Sequence, residues 1–139
     1  MAVATESFRV DSRGFTDVID ITGPVSKAVA GSGLESGILL VFVSGSTASV
    51  TSIEYESGAV NDLKRAIEEI APHEGEYAHN ERWHDGNGFS HVRAALLGSG
   101  FSAPFTNGRP MLGTWQQIVL LDHDNRPRKR EVIVRMVGE

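Results

Sequence analysis

The chain has 139 residues, of which 40% are hydrophobic and 22% are charged, and these proportions are ordinary for one globular domain. It contains no cysteine, which excludes disulfides, thiolate metal sites and cysteine nucleophiles. A formal net charge of −5 disfavours duplex nucleic acid, because neutralising phosphates requires a basic face. No apolar run approaches the roughly 20 residues of a membrane helix, and the first residues lack a secretory pattern. We therefore expect a single domain over residues 1–139, in the cytoplasm, without a nucleic-acid or membrane partner.

The N-terminal half is predicted to contain three strands and one helix. Polar and apolar residues alternate over 5–10, which predicts a strand. Residues 21–33 predict a short helix with Thr22 as its N-cap. The segment 37–44 is continuously apolar, which predicts a central strand buried on both faces. Residues 46–54 predict a further strand, rich in serine and threonine.

The middle of the chain is predicted to hold two helices and a long loop. The clearest helix covers 59–71, because apolar residues recur there at helical spacing, namely Val60, Leu63, Ile67 and Ile70. Residues 72–90 predict an irregular loop, and a loop of this length is more often functional than not. Residues 90–98 predict a short helix with Ser90 as its N-cap.

The C-terminal third predicts strands joined by turns. Residues 101–105 lead to the turn dipeptide Asn107-Gly108, and two strands are predicted over 115–122 and 129–137, joined by a turn at 123–128. Hairpins that flank helices indicate an α+β fold, a two-layer sandwich with a mostly antiparallel sheet and a few short helices.

The segment "HNERWHDGNGFSH", residues 79–91, is a candidate metal site. His79, His84 and His91 supply the number of protein ligands that a catalytic zinc site usually has, but their spacing matches no compact metal motif. If Ser90 caps a helix, His91 lies in its first turn, where the helix dipole favours a neutral imidazole. From spacing alone, a metal site and a solvated polar loop both remain open. His123 lies in a predicted turn, where a surface position is expected.

Two segments are candidate phosphate-binding elements. Ser46 and Thr47 lie in "VSGSTAS", where hydroxyl and backbone N–H groups can hold a phosphate, although an ordinary hairpin turn has the same composition. Arg126 and Arg128 lie in "NRPRKR" and suit bidentate phosphate binding. The alternative for this segment is a charged hairpin that prevents edge-to-edge pairing.

Two further pairs of residues have a functional and a structural interpretation. Glu54 and Glu56 are predicted on the same face of a strand, where two carboxylates can bind a cation or exchange protons. The structural interpretation is that both acids lie at a solvated strand end. Trp115 and Gln116 begin a predicted strand, and a tryptophan at such a position usually packs in a core or an interface.

Three segments together resemble a known family. "GSTASVTSIEYE", "YAHNERWHDGNGFSHVRAALLGSG" and "PFTNGRPMLGTWQQIVLLDHDNRPRKREV", in this order and spacing, resemble the YjbQ-like family of secondary thiamine-phosphate synthases. The resemblance runs from about Phe8 to Val137. It implies a compact α+β fold, a homotrimer, and a histidine-lined metal site near a subunit boundary.

The resemblance also assigns roles to individual residues. His79 and His91 match two family histidines, and Glu54 matches the acid after the serine- and threonine-rich strand. The T-W-Q element and the arginine turn are matched by Trp115, Gln116, Arg126 and Arg128. Many members have histidines where this chain has Gly45 and Phe89, so the ligand count is reduced unless His84, water or Glu54 replaces the missing ligand.

The implied reaction joins hydroxymethylpyrimidine diphosphate to a thiazole phosphate. A divalent metal, zinc or magnesium, is expected on His79, His84 and His91. The substrates and their phosphates are expected to contact Ser46, Thr47, Asn87, Trp115, Gln116, Arg126 and Arg128, with His91 and Glu54 as further catalytic groups. Two alternatives remain, a metal-assisted hydrolase and a non-enzymatic trimeric protein that binds a small anionic metabolite.

Overall fold

The computed structural model describes residues 1–139. It contains eight strands and four helices, in the order β1 (Ala2–Ser12), β2 (Asp17–Asp20), α1 (Thr22–Gly31), β3 (Ser36–Val43), β4 (Ala48–Ile53), α2 (Ser57–Ile70), α3 (Ala78–Trp83), α4 (Gly88–Leu97), β5 (Gly100–Thr106), β6 (Arg109–Pro110), β7 (Gln117–Asp122) and β8 (Arg128–Gly138). None of the helices has the length and apolar character that a membrane-spanning helix needs.

The strands form two antiparallel sheets. The larger sheet has the order β1-β8-β3-β5-β6, and the smaller has the order β2-β7-β4. Every pair of neighbouring strands is antiparallel. The predicted α+β class is therefore confirmed.

The main hydrophobic core draws on both sheets and on α1. Its fully buried members include Val25 of α1, Leu39 of β3 and Leu120 of β7. Alternate residues of β7 point the other way, so Val119 and Leu121 form a second cluster with Ile67 of α2. Since the smaller sheet carries apolar packing on both faces, the predicted two-layer sandwich is not confirmed.

Strand β3 differs from its prediction. Its buried residues alternate with Ile38, Leu40 and Phe42, which are 63%, 43% and 38% exposed. The expectation of burial on both faces was wrong because only one face of β3 lies against the core. The continuous apolar run therefore leaves an exposed apolar stripe on the outer face of the larger sheet.

The helices also differ from their predictions in the middle of the chain. Helix α2 begins at Ser57, because the Glu56 side chain accepts hydrogen bonds from the N–H groups of Gly58 (2.6 Å) and Ala59 (2.8 Å). Glu56 is thus a helix cap and does not act as a pair with Glu54. The predicted irregular loop over 72–90 was wrong in part, because it contains α3 and the start of α4.

One end of the smaller sheet brings distant segments together. Thr47 precedes β4, Asp122 ends β7, and Arg128 begins β8 while pairing with Ser12 of β1. Helix α4 packs on β4 and carries His91 beside this end of the sheet. These elements build the candidate site.

Candidate functional site

His79 and His91 form a close pair of imidazoles. Their ring centroids are 4.4 Å apart, with the planes tilted by 53°. His79 lies in α3 and His91 in α4, so the short connection between the two helices brings the rings together. The structure thus brings together two of the three histidines of this segment.

The connection between α3 and α4 supplies polar partners for His79. Nε2 of His79 lies 3.4 Å from Oδ1 of Asp85. With its amide nitrogen facing this pair, Asn87 donates to Oδ1 of Asp85 (2.9 Å) and to Nε2 of His79 (3.1 Å). Asn87 is also the N-cap residue of α4, which begins at Gly88, so the prediction that Ser90 caps this helix was wrong.

The three histidines do not form one ligand set. His84 is exposed at the C-terminus of α3 in a left-handed conformation, and the structure contains no group of three or more His, Asp or Glu side chains arranged to hold a metal. The lone pair of Nε2 in His79 is already engaged by the Asn87 amide. The residues present therefore do not fit the metal site that the resemblance implies.

A cavity lies on the other side of His91. Its volume is about 280 Å³, and its lining residues are Gly45, Ser46, Ala48, His91, Ala94, Ala95 and Ser99. This volume is just below the range of roughly 300–1,000 Å³ that is usual for small-molecule pockets. The turn before β4 and His91 thus line one space suited to one small group.

A buried ion pair supports the turn before β4. Arg130 donates from Nε to Oδ2 of Asp122 (2.7 Å) and from Nη2 to Oδ1 of the same carboxylate (2.9 Å). Nη2 also donates to the hydroxyl of Thr47 (2.5 Å). The Asp122 carboxylate is fully buried and accepts a short hydrogen bond from Ser12 as well. Bidentate pairing of this kind fixes the guanidinium plane against the turn.

Asp124 forms a second hub, also fully buried. It accepts from the hydroxyl of Thr47 (3.0 Å) and from Nε of Arg128 (3.0 Å). Burial on its own would raise the pKa of the Asp124 carboxyl, but the N–H of Asn125, the Thr47 hydroxyl and the Arg128 charge hold it below its ordinary value. Thr47 and Arg128 therefore serve a buried network, and neither presents its group freely to a ligand.

The remaining predicted residues lie elsewhere. Glu54, Trp115 and Gln116 lie at the opposite end of the smaller sheet, since Ile53 of β4 is opposite Gln117 of β7. At about 3.3 Å per strand residue, Glu54 is roughly 20 Å from Thr47. Trp115 is 72% exposed, whereas Gln116 donates to the Ser52 hydroxyl (3.1 Å).

The structure places the two predicted arginines of the turn in different surroundings. Arg126 is exposed and makes no ion pair or side-chain hydrogen bond, whereas Arg128 and the unpredicted Arg130 enter the buried network. The alternation along β8 explains the difference, because residues 128 and 130 share one face of that strand.

The environment of His91 favours its neutral form. Burial lowers the pKa of His91 below its ordinary value, the neighbouring His79 lowers it further, and the carboxylates of Asp124 and Asp85 oppose the shift. This direction agrees with the expected one, and its largest causes are desolvation and the second imidazole. A neutral His91 retains one acceptor nitrogen and one donor N–H at the cavity wall.

His123 is fully buried, so the expectation of a surface position was wrong. Arg93 donates from Nη1 to the Thr16 hydroxyl (2.9 Å), and that hydroxyl lies 2.7 Å from Nδ1 of His123. On the other side, Nε2 of His123 lies 3.1 Å from the hydroxyl of Ser49. With Thr16 accepting from Arg93 and donating to Nδ1, the proton of a neutral His123 resides on Nε2 and is donated to Ser49.

This neutral histidine predicts a loss of stability in weak acid. Burial, with Arg93 next, lowers the pKa of His123 to about 4. The unfolded chain therefore binds more protons than the folded chain between about pH 6.5 and 4, so the free energy of unfolding decreases as pH falls through that window, by about 3 kcal/mol.

Urea unfolding at several pH values tests this expectation. His123→Asn keeps an acceptor for Thr16 but cannot be protonated, so its stability should change less between pH 6.5 and 4 than that of the unmodified protein. Both proteins contain the same carboxylates, so the contribution of those groups to the pH dependence of stability cancels in the comparison. Equal pH dependence in the two proteins would show that His123 does not titrate in this window.

The comparisons with known proteins cover nearly the whole chain. A family model described as "UPF0047 protein YjbQ-like" matches residues 6–139. A UPF0047 protein from Methanothermobacter thermautotrophicus is 37% identical over 139 residues, covering 100% of this chain and 95% of that protein. The UPF0047 protein YugU from Bacillus subtilis is 32% identical over 123 residues, covering 88% of this chain and 90% of YugU.

Solved structures give the same result for the fold. A crystal structure of a YbjQ-like protein of unknown function from Sulfolobus solfataricus superposes with a TM-score of 0.93, at 32% identity and 99% coverage of both chains. A hypothetical protein from Aeropyrum pernix superposes with a TM-score of 0.90, also at 32% identity, covering 98% of this chain and 99% of that one. The superposed regions therefore cover almost the whole fold.

Proposed function

The chain belongs to the UPF0047 YjbQ-like family, and we propose that it is an enzyme that acts on a small phosphorylated metabolite in the cavity beside His91. The observation that carries the proposal is the placement of His91, whose ring contacts His79, in one small cavity with the turn that the buried Arg130 holds. The reaction is the one that the family resemblance implies, a weak or side activity of the thiamine-phosphate synthase type.

The proposed reaction exchanges one bond for another. The ring nitrogen of the thiazole phosphate attacks the methylene carbon of hydroxymethylpyrimidine diphosphate. A C–N bond forms while the C–O bond to the diphosphate breaks, and pyrophosphate leaves with the electron pair. Because negative charge grows on the leaving oxygen, hydrogen-bond donors fixed around it lower the barrier.

The cavity supplies such donors without a large rearrangement. His91, which carries one N–H when neutral, lines the cavity together with Gly45 and Ser46 of the turn. Thr47 and Arg128 contribute by holding Asp124, which keeps the turn and β8 in register. A fixed array of donors has little reorganisation cost during the reaction, which is the main way in which a protein stabilises developing charge.

The size of the cavity favours a site completed by a neighbouring copy. About 280 Å³ suits one phosphorylated group but not two substrates together. Glu54, Trp115 and Gln116, which the resemblance assigns to the same site, lie about 20 Å from the cavity within one chain. We therefore propose that they reach the cavity of an adjacent subunit in a homotrimer.

The outer face of the larger sheet supports this assembly. Ile38, Leu40 and Phe42 are exposed there, and Ile38 is in register with Val137, which pairs with Val3 on the next strand. Phe42 lies opposite Gly100, next to the cavity-lining Ser99, so the apolar face borders the cavity. An apolar face of this kind indicates a protein interface.

Ile38→Glu is expected to convert the trimer to a monomer, because a charge at the centre of the apolar face cannot be desolvated cheaply. Ile70→Glu is the matched control, since Ile70 is 69% exposed, similar to the 63% of Ile38, but lies at the end of α2. Size-exclusion chromatography with light scattering measures the mass of each protein. A trimeric Ile38→Glu protein would place the interface elsewhere.

The two alternative functions predict different outcomes of one growth experiment. The gene is expressed in a bacterial host that lacks thiamine-phosphate synthase and is grown without thiamine. The proposal predicts growth with the unmodified gene and no growth with His91→Ala. No growth with either gene, at equal soluble expression, would favour hydrolysis or simple binding of the anion. Equal growth with both would show that the synthase activity does not use this cavity.

A further inference from the structure

We propose that the space beside Gly45 is an oxyanion subsite that takes a phosphate group, with Nη1 of Arg130 as its charged donor. The proposal deepens the proposed function, because it names the part of the substrate that enters the cavity. It stands on three observations, which concern the free donor of Arg130, the glycine next to it and the unpaired backbone of the same turn.

Arg130 is nine-tenths buried yet keeps one nitrogen free. Its side chain is 9% exposed, and Nε and Nη2 are both bonded to Asp122, with Nη2 also bonded to Thr47. Nη1 donates no hydrogen bond. In this structure every fully buried side-chain nitrogen or oxygen has a hydrogen-bond partner, so an atom without a partner is not fully buried. Nη1 therefore has accessible surface, and a guanidinium whose other donors are fixed presents it in one direction.

Gly45 determines what Nη1 faces. A Cβ atom at this position would lie 3.0 Å from Nη1 of Arg130, and Gly45 itself lines the cavity next to His91. Its φ of 127° is also a conformation that residues with side chains rarely adopt. The glycine thus leaves open the space between Nη1 and the cavity, where a side chain would otherwise stand.

The turn adds neutral donors to this charge. The backbone N–H groups of Gly45, Ser46 and Thr47 donate no hydrogen bond within the chain, although the preceding Ser44 N–H donates to the carbonyl of Glu131. Consecutive free N–H groups beside a glycine with positive φ form the kind of concavity that binds anions. His91 lines the same cavity, and its neutral ring carries one N–H that can add a further donor.

The surrounding charges indicate recognition by directed donors. Arg128 and Arg130 are matched by Asp122 and Asp124, so the cluster has no excess positive charge. Selectivity therefore comes from geometry, which suits a tetrahedral oxyanion with several acceptor oxygens better than a planar carboxylate. A phosphate monoester and the terminal phosphate of a diphosphate share this chemistry.

Titration with inorganic phosphate, followed by ¹H–¹⁵N NMR on the intact protein, tests the subsite. We expect saturable shifts of the Gly45, Ser46 and Thr47 amides and of the Arg130 guanidinium signals. Gly45→Ala should weaken binding about 10- to 100-fold, the effect of losing a hydrogen bond to a charged group. Gly33→Ala is the matched control, because Gly33 also has positive φ (77°) but has nothing within 4 Å of its added Cβ.

Arg130→Lys provides a second variant, since lysine keeps the charge beside Asp122 but lacks the second terminal nitrogen; it should weaken phosphate binding to a similar degree. A second groove, of about 590 Å³, lies between β1 and α1 and includes Lys27 in its lining. Absence of saturable binding, shifts centred on Lys27 of that groove, or equal affinity of Gly45→Ala and the unmodified protein would each overturn the proposal. Phosphate binding at Gly45 by a protein that forms no thiamine phosphate would refute the proposed reaction and leave the subsite intact.

Discussion

Asp122→Ala is expected to lower the free energy of unfolding by about 3–5 kcal/mol, because removing one partner of a buried ion pair leaves the other charge uncompensated. Both hydrogen bonds from Arg130 to Asp122 would be lost, and the guanidinium cannot move to solvent while Nη2 remains bonded to Thr47. The Ser12 hydroxyl would lose its acceptor in the same step. Urea unfolding at pH 7, monitored by circular dichroism, measures the loss.

Two further variants separate the charge from the packing. Asp122→Asn retains an acceptor oxygen and the volume, so its loss should be smaller. In Asp122→Ala/Arg130→Met the uncompensated charge is removed, so part of the stability should return although two native groups are absent. If the double variant loses as much free energy of unfolding as the two single variants together, the uncompensated charge does not cause the loss in Asp122→Ala.

His91→Ala is expected to reduce the rate of thiamine phosphate formation by about 10²–10⁴-fold, the usual contribution of a positioned acid, base or donor. Stability should change little, since His91 is only partly buried and its ring contacts another imidazole at the cavity edge. Steady-state kinetics with purified protein measures kcat and KM separately. A donor to the leaving group should affect kcat more than KM.

His73→Ala is the matched control for this effect. His73 is also a partly exposed histidine, but it packs against Phe15 and Phe89 on the other side of α4 and does not line the cavity. Its kinetics should equal those of the unmodified protein. An equal loss of activity in His73→Ala and His91→Ala would indicate a general disturbance of α4.

Local patterns in the sequence were sufficient for most of the fold. The helical spacing of Val60, Leu63 and Ile67 predicts α2, and the apolar stretch that ends with Val43 predicts β3. The same stretch did not indicate that one face of β3 is exposed. A continuous apolar run is expected both for a strand buried on its two faces and for a strand with one apolar face left open to an interface. Helix α3 was missed because its six residues lack an apolar stripe of their own.

The candidate site was predictable only in part. His79 and His91 were identified from their local clustering, whereas Arg130, Asp122 and Asp124 were missed. These three residues join segments that are far apart in the chain, and nothing local distinguishes a buried Asp122 from a solvated turn residue. One signal was available, the alternation of Arg128 and Arg130 in a predicted strand, which places both on a single face.

The most direct test of the functional cavity is a product assay with purified protein. Hydroxymethylpyrimidine diphosphate and thiazole phosphate are incubated with a stoichiometric amount of the protein, and thiamine phosphate and pyrophosphate are both quantified. The proposal predicts equal amounts of the two products from the unmodified protein and none above background from His91→Ala. Neither product from the unmodified protein, or both products at an unchanged rate from His91→Ala, would contradict it.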